Sequence, residues 1–486
     1  MRGLGKPGRQ LMKLCQSRAI LQRALAPISA AQQYRYTSAT SDTSQRGAGS
    51  VNIEAIRADM LSRPPQMHSD MMHPTNSYLL TEALSDFLPE ECFTEQQIPR
   101  ENVSKTSIPI EFFERYEKPT VIVPAGHHLV YFPLHLRGSQ LCPDGTDPYH
   151  SPRGTPFTRR MWAGGSIQGF RGMLLDEQSV CLERIVDVKV QGSAGAEKIF
   201  VEVLREYTSF EDFNNRIDPK SQTLRPHDLP LDPSFMFSAD DPFNYGPKGL
   251  TEHRTLVFMR EPSDKEKKTN LEKQRIVKAP KKPDYSVTLT PTPTLLFHYS
   301  ALTYNAHRIH LDRSYCREVE GYQDLLVHGP LSLSLMLSVL QSRLTQDKNQ
   351  CAIIDNIDYR HLAPLYVGQP MRICVALQKP LATKSEKKYS GDEGQRSKVK
   401  GERKGEELEE EEVLEVYLGM DKWDIWVENQ DGSLCVKGTA ETVKGQILSD
   451  WDKLRPSQRR VWKRLIEIGM ANEAGMASET AKRGHW

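Results

Sequence analysis

The sequence predicts an α+β fold in which antiparallel sheet wraps one apolar helix, with that unit present twice in a single chain. Three observations lead there. The first is the segment that opens at Gly329-Pro330: Leu331, Leu333, Leu335, Met336, Leu337, Val339 and Leu340 leave no polar face except the small Ser332, Ser334 and Ser338. A helix apolar on all sides is buried on all sides. Second, runs rich in β-branched and aromatic residues recur before and after it, broken by Gly- and Pro-rich turns. Third, Arg160-Met161-Trp162-Ala163-Gly164 is echoed by Arg360-His361-Leu362-Ala363-Pro364, each followed by a turn and an alternating strand. Two such units in one chain would be the covalent version of a dimer of single units.

The elements follow in order. The first 41 residues hold no Asp or Glu but five Arg and two Lys, and they end in Ser/Thr/Ala-rich sequence. On a helix Leu11, Leu14, Leu21 and Leu25 share one face, opposite Arg9, Lys13 and Arg23, with Arg18 breaking the pattern. Residues 1–45 are therefore expected to be a mitochondrial presequence, because a secretory signal needs a continuous apolar run. The expected location is the mitochondrial matrix, and the terminal Lys482-Arg483-Gly484-His485-Trp486 is not a peroxisomal address of the Ser-Lys-Leu type. An N-terminal unit spans 51–260. It begins with short helical patterns to about residue 120, then strands at 121–123 and 128–132 and a turn-rich loop at 141–148. An antiparallel meander follows over 161–170, 180–190 and 198–207. The Asp/Pro/Asn-rich stretch 209–255 is expected to run over the surface. Residues 261–294 read as a linker.

The second unit covers 295–445. Its strand patterns lie at 353–359, 371–377, 413–420, 424–428 and 434–442. Residues 384–412 are Lys, Glu, Gly and Ser with little to bury, and are expected to be a disordered insert. A tail, 446–486, closes the chain.

Composition narrows the function. Lys+Arg total 64 against 63 Asp+Glu, so no electrostatic case exists for nucleic-acid binding. The longest apolar stretch, 331–340, is about half of the roughly 20 residues a membrane helix needs, and no membrane association is expected. The eight cysteines are scattered without a Cys-x-x-Cys pair, so they read as thiols in a reducing compartment. His127, His128, His135 and His150 do not suggest a metal site: adjacent strand residues face opposite ways, and no carboxylate stands at ligand spacing. Neither metal nor cofactor is expected.

The chemistry concentrates in Phe297-His298-Tyr299-Ser300-Ala301-Leu302-Thr303-Tyr304-Asn305-Ala306-His307-Arg308-Ile309-His310-Leu311-Asp312, followed by Val327-His328-Gly329-Pro330. An amide and an imidazole stand five positions apart, facing a helix N-terminus. This stretch resembles the signature of the MaoC-like (hydratase 2) branch of hot-dog dehydratases. That signature is an Asp, an Asn-Pro pair, and a His five residues after the Asp. Here the His is His310. Asn305 stands at the Asp position, and His307 and Arg308 stand at the Asn-Pro pair. The Thr-Tyr-Asn context is similar to a subgroup, fungal mitochondrial hydroxyacyl-thioester dehydratase type 2 and mesaconyl-CoA hydratase-like proteins. Segments 124–132 and 159–165 resemble the N-terminal half of the latter.

The resemblance implies a double hot-dog fold with the active site in the C-terminal unit. It implies dehydration of (3R)-3-hydroxyacyl thioesters to trans-2-enoyl thioesters, with acyl carrier protein (ACP) as carrier in mitochondrial fatty-acid synthesis. A homodimer is expected. Two alternatives stay open: an enoyl-CoA or mesaconyl-CoA-type hydratase acting on a CoA thioester, and a non-catalytic acyl-thioester-binding subunit. Elimination of water needs a base for the C2 proton, help for the departing C3 hydroxyl, and donors for the thioester oxygen. His310 is the natural base. The Gly329 N–H, at the positive end of the buried helix, suits the oxygen. Asn305 cannot take a proton, so it orients the hydroxyl. His307, Asp312 and His328 are accessory candidates. Asp312 is equally placed to cap the following helix, and His307 to lie on a surface loop.

Overall fold

Each half of the chain places its second strand beside that of the other half, and this pairing builds one continuous sheet. The computed structural model describes residues 52–93, 122–193, 195–216, 237–238, 241–245, 249–267, 277–279, 281–344, 350–378, 395–400 and 413–447. The expected presequence, most of the 384–412 insert and all but the start of the tail lie outside them. Residues 51–213 and 231–486 make up one compact unit. In chain order its main elements are α1 (Ile53–Leu61), β1 (Gln66–Met71), α2 (Pro74–Ser85), β2 (Arg159–Gln168), β3 (Gln178–Gln191), β4 (Lys198–Ser209) and β5 (Gly249–Met259). The second half contributes β6 (Tyr285–Leu289), α3 (Pro293–Leu302), α4 (Gly329–Leu344), β7 (Gln350–His361), β8 (Met371–Leu377), β9 (Gln395–Lys400), β10 (Val413–Asn429) and β11 (Leu434–Ile447).

The sheet order is β1-β3-β4-β5-β2-β7-β11-β10-β8-β6, with β9 paired to the start of β10. Within each half the five path strands run first, third, fourth, fifth, second. The order is therefore a palindrome about the antiparallel β2–β7 seam, where Gly164 faces Arg360 and Ile167 faces Ile357. Of the five-residue echo, Arg160–Gly164 lies in β2, whereas only Arg360 and His361 of the second copy lie in β7, at its end. This is the double hot-dog fold. α4 is the helix it wraps, packed against β6, β7, β8 and β10. Every residue from Leu331 to Leu340 is buried. The serines among them are satisfied locally: Ser332 Oγ donates to the His328 carbonyl (3.2 Å) and Ser338 Oγ to that of Ser334 (3.0 Å). Ser334 Oγ instead reaches across to the Gly126 carbonyl of the first half (3.2 Å).

Four expectations are corrected. Residues 128–132 are not a strand: His127–Val130 is a 3-10 turn entered through Gly126 at φ +87° and packed against α4. The 209–255 stretch does not stay on the surface, since β5 begins at Gly249 and lies between β4 and β2. Its Thr251-Glu252-His253-Arg254 sequence looks exposed, but Glu252 is fully buried, with Arg254 Nε 2.6 Å from its carboxylate. Part of the expected linker is the edge strand β6, paired with β8. Part of the expected insert is β9, paired with β10.

β2 tolerates little bulk against either neighbour, β5 or β7. A Cβ on Gly165 would sit 2.1 Å from the His253 carbonyl oxygen, and one on Gly164 2.5 Å from that of Tyr359. Gly165→Ala is expected to cost about 1–3 kcal/mol, since backbone on both sides would have to move. Urea unfolding should show the loss as a lower midpoint at unchanged slope; an unchanged midpoint would contradict the close approach.

Candidate active site

The site is assembled on the loop between α3 and α4. α3 starts at a capped N-terminus, where Thr292 Oγ1 accepts from Leu295 N–H (3.2 Å) ahead of Pro293. It ends where Tyr304 takes the left-handed conformation, φ +51°. The next residue, Asn305, donates its N–H to the Ser300 carbonyl (2.8 Å), and its Oδ1 accepts from His307 N–H (3.0 Å). This Asx turn occupies the amide oxygen and leaves the Nδ2 hydrogens as donors at the cavity wall.

His310 follows on a short 3-10 turn, Arg308–His310. Its Nδ1 lies 2.8 Å from the Leu326 carbonyl oxygen. A carbonyl only accepts, so Nδ1 carries the proton and Nε2 keeps a free lone pair. Burial is the main cause that lowers the His310 pKa, to about 4; the Leu326 contact opposes it and the Arg160 charge adds to it. The ring is therefore neutral at physiological pH, as a base must be. His328 stacks on it with centroids 3.7 Å apart and planes 21° off parallel. Its Nε2 is held by Ser300 Oγ at 2.8 Å, and it is fully buried behind the site. His307 meets His310 edge to face at 5.4 Å. Burial, then the neighbouring His310 and Arg160, hold its pKa well below the usual value.

A cavity of about 820 Å³ opens in front of these groups, within the usual range for small-molecule sites. Asn305, His307, His310 and Gly329 line it, together with Arg160 and Trp162 of the first half and His361 of β7. Apolar length comes from residues such as Leu134, Leu136, Met161 and Met259. Gly329 is the first residue of α4; a Cβ there would stand 3.3 Å from both Trp162 Cβ and His361 Cε1. The absence of a side chain thus brings the backbone of a helix N-terminus to the cavity wall. Trp162 is fixed by its Nε1–H, which donates to the Gly164 carbonyl (3.0 Å) and the Tyr359 hydroxyl (3.1 Å).

The structure thus brings Asn305, His307, His310 and Gly329 together and sets His328 behind them. Asp312 is elsewhere. It does not line the cavity, its Oδ1 accepts from Tyr315 N–H (3.0 Å) and its Oδ2 pairs with Arg308 (2.8 Å), so it caps the next turn. Arg160, Trp162, His361 and Asp144, which lies beside His307, were not singled out from sequence as site residues. The Arg160 and Arg360 echo was visible as a repeat, but only the seam shows that both strands border one cavity.

A second polar group lies in the first half. Asp147, His150 and Glu183 are buried with donor atoms within 4.8 Å of one another, so carboxylates do stand near His150. Its Nδ1 is 2.9 Å from Asp147 and its Nε2 3.1 Å from Glu183, while Arg205 Nε lies 2.9 Å from the other Glu183 oxygen. Burial lowers the His150 pKa, but the two carboxylates outweigh it and the net shift is upward. Each ring nitrogen faces its own carboxylate, so a protonated His150 and Arg205 neutralise the acids themselves. The group is an ion-paired cluster.

Comparison with known proteins bears on the whole arrangement. The family described as hydroxyacyl-thioester dehydratase type 2 matches residues 126–222 and 239–367. The mitochondrial hydroxyacyl-thioester dehydratase type 2 of Schizosaccharomyces pombe is 28% identical over 300 residues, 60% of this chain and 89% of that protein. Its Saccharomyces cerevisiae counterpart is 26% identical over 271 residues, 54% of this chain and 79% of that protein. A mesaconyl-C(4)-CoA hydratase of Chloroflexus aurantiacus is 37% identical over 107 residues, 22% of this chain and 35% of that protein. The family match runs through both halves, through the His310 loop and into α4, and with the fold it leads to one conclusion: over these residues the chain is similar to the hydroxyacyl-thioester dehydratase type 2 family.

Proposed function

We propose that this dehydratase converts (3R)-3-hydroxyacyl thioesters to trans-2-enoyl thioesters in mitochondrial type II fatty-acid synthesis, with ACP as the carrier. One observation carries the reading: His310 Nδ1 is tied to a backbone carbonyl, so Nε2 is a free base in a cavity that also receives the N-terminus of α4. The thioester oxygen would rest against the Gly329 end of α4, where donors and helix dipole oppose the charge that builds on it. His310 Nε2 would take the C2 proton. The C3–O bond breaks as the C2–C3 double bond forms, and the same proton passes from His310 to the departing hydroxyl, which leaves as water. Asn305 would hold that hydroxyl through its Nδ2 hydrogens. No group besides His310 changes protonation, which suits an amide at position 305.

Matrix location and the carrier are supported by the acid-free, arginine-bearing N-terminal sequence and by the mitochondrial names of the two yeast relatives. Among the described residues no helix is long and apolar enough to cross a membrane. A hydratase acting on a CoA ester of a dicarboxylic acid is the second reading. Arg160 favours it: the residue lines the cavity and its buried Nη1 has no hydrogen-bond partner, a place for a free carboxylate. Turnover of matched 3-hydroxyacyl-ACP, 3-hydroxyacyl-CoA and dicarboxylyl-CoA substrates separates the readings. Preference for the ACP ester supports the first, preference for the dicarboxylyl-CoA ester the second, and no turnover on any of them defeats both.

His310→Ala is expected to lower kcat by roughly 10²–10⁴-fold, as loss of a general base does, with an unchanged circular-dichroism melt. Near wild-type turnover would remove His310 from the mechanism. The pH dependence follows from the lowered pKa. The base works only when neutral, so kcat/KM should fall as pH drops through about 4 and stay level between pH 6 and 8; an acid limb near 6.5 would contradict the buried, neutral ring. Asn305→Asp keeps an oxygen for His307 N–H but loses the Nδ2 donors. It should preserve the fold and reduce kcat, and full activity would show that the amide hydrogens are not used.

A further inference from the structure

The catalytic loop of the second half is clamped by a loop of the first. Arg308 N–H donates to the Asp144 carbonyl (2.8 Å). Next to it, a Cβ on Gly145 would fall 2.0 Å from the Ala306 carbonyl oxygen, so the two backbones are in direct contact, and Gly145 sits at φ +86°. The Asp144 side chain is buried and oriented by its own turn: Oδ1 accepts from Thr146 N–H (2.9 Å) and from Thr146 Oγ1 (2.7 Å). That leaves Oδ2, buried and without a hydrogen-bond partner, 3.6 Å from His307 Nε2. A buried carboxylate oxygen without a donor is costly, and the nearby imidazole nitrogen is the group that can supply one.

We propose that Asp144, from the N-terminal half, is a positioning residue of the C-terminal site: Oδ2 accepts the Nε2–H of His307 and fixes that ring in one tautomer and one orientation. The 3.6 Å separation is long for a hydrogen bond, and such contacts tighten when substrate fills a site. His307 lines the cavity and sets its edge against His310. Holding His307 therefore holds the flank of the base, and leaves Nδ1 of His307 as an acceptor. The inference rests on the dehydratase reading given above only for its kinetic arm.

The test uses the difference between Asp144→Asn and Asp144→Ala. In Asp144→Asn the amide oxygen stays with Thr146, so the NH2 group faces His307 Nε2 and drives the proton to Nδ1. In Asp144→Ala the contact is simply lost. Nitrogen-15 spectra of histidine-labelled full-length protein report the tautomer, with the His307 signal assigned by its loss in His307→Gln. We expect the Nε2–H tautomer in wild type, the Nδ1–H tautomer in Asp144→Asn and a mixture in Asp144→Ala. In turnover, kcat should fall roughly tenfold or more in Asp144→Asn, as a wrong tautomer causes elsewhere, less in Asp144→Ala, with KM within about twofold. A purely structural role predicts the reverse order, because Asn is the isostere. A His307 tautomer unchanged in both variants, or an Asp144→Asn enzyme as active as wild type, overturns the proposal. The spectra need no turnover, so a wild-type protein inactive on every thioester would defeat the dehydratase reading and leave the Asp144 test intact.

Discussion

A helix with no polar face has to be covered from every side, and the burial of α4 is the constraint from which the other features follow. Fully burying a side chain of Leu or Met size is worth about 1.5–3 kcal/mol, and α4 carries seven apolar side chains between Leu331 and Leu340, all buried. One twisted sheet covers part of that surface. The remainder is closed by the first half, whose Gly126-to-Val130 turn packs against Ser334 and Leu337. The N-terminus of α4 consequently ends inside the molecule, at a cavity wall and not in bulk water. A helix dipole acts strongly on a ligand only where water does not screen it, so the packing requirement and the electrostatic one are met by a single element.

The same arrangement explains why two halves are needed for one site. The loop that carries Asn305 and His310 belongs to the second half, but its surroundings are shared. Trp162 and Arg160 come from β2, Asp144 and Gly145 meet the loop from the side, and Arg159 pairs with Glu320 across the halves at 2.5 Å. That pair is almost buried on both sides, so removing either partner would strand a charge. The β2–β7 ladder, from Gly164 opposite Arg360 to Gln168 opposite Asn356, places these groups in a fixed register.

The first half holds a different kind of interior. Where α4 fills the second half with leucine, the first half contains Glu183, Arg205, Glu252, Arg254, His150 and Tyr207. Tyr207 hydroxyl donates to Glu252 (2.7 Å), and Arg254 lies over the Trp162 ring at 4.7 Å. Burial alone would push the Glu252 carboxyl upward, yet Arg254 and its other cationic neighbours hold it below the ordinary range. The cluster stays charged because each member is paired. It backs Trp162; His150, Glu183, Arg205 and Arg254 also line the cavity, as charges already paired within the cluster.

The sequence by itself determined the parts that depend on local pattern. Period and composition marked α4 and the meander of the first half, because an unbroken apolar helix and alternating strands bury their faces in only one way. The five-residue spacing of Asn305 and His310 marked a loop whose two side chains the structure sets at one cavity, because a short loop keeps neighbours in sequence close in space. The tertiary structure decided the rest. It made His127–Val130 a 3-10 turn in place of a strand at 128–132, because Gly126 packs against the side of α4 at Ser334 and Leu337. It drew Gly249–Met259 into the sheet although Glu252 and Arg254 look like surface residues, because their charges pair inside. It moved Asp312 out of the site and set Asp144 beside His307 from more than 160 positions away. Pairing of buried charges and contact between distant loops leave no periodic trace along the chain, so only the folded arrangement could place them.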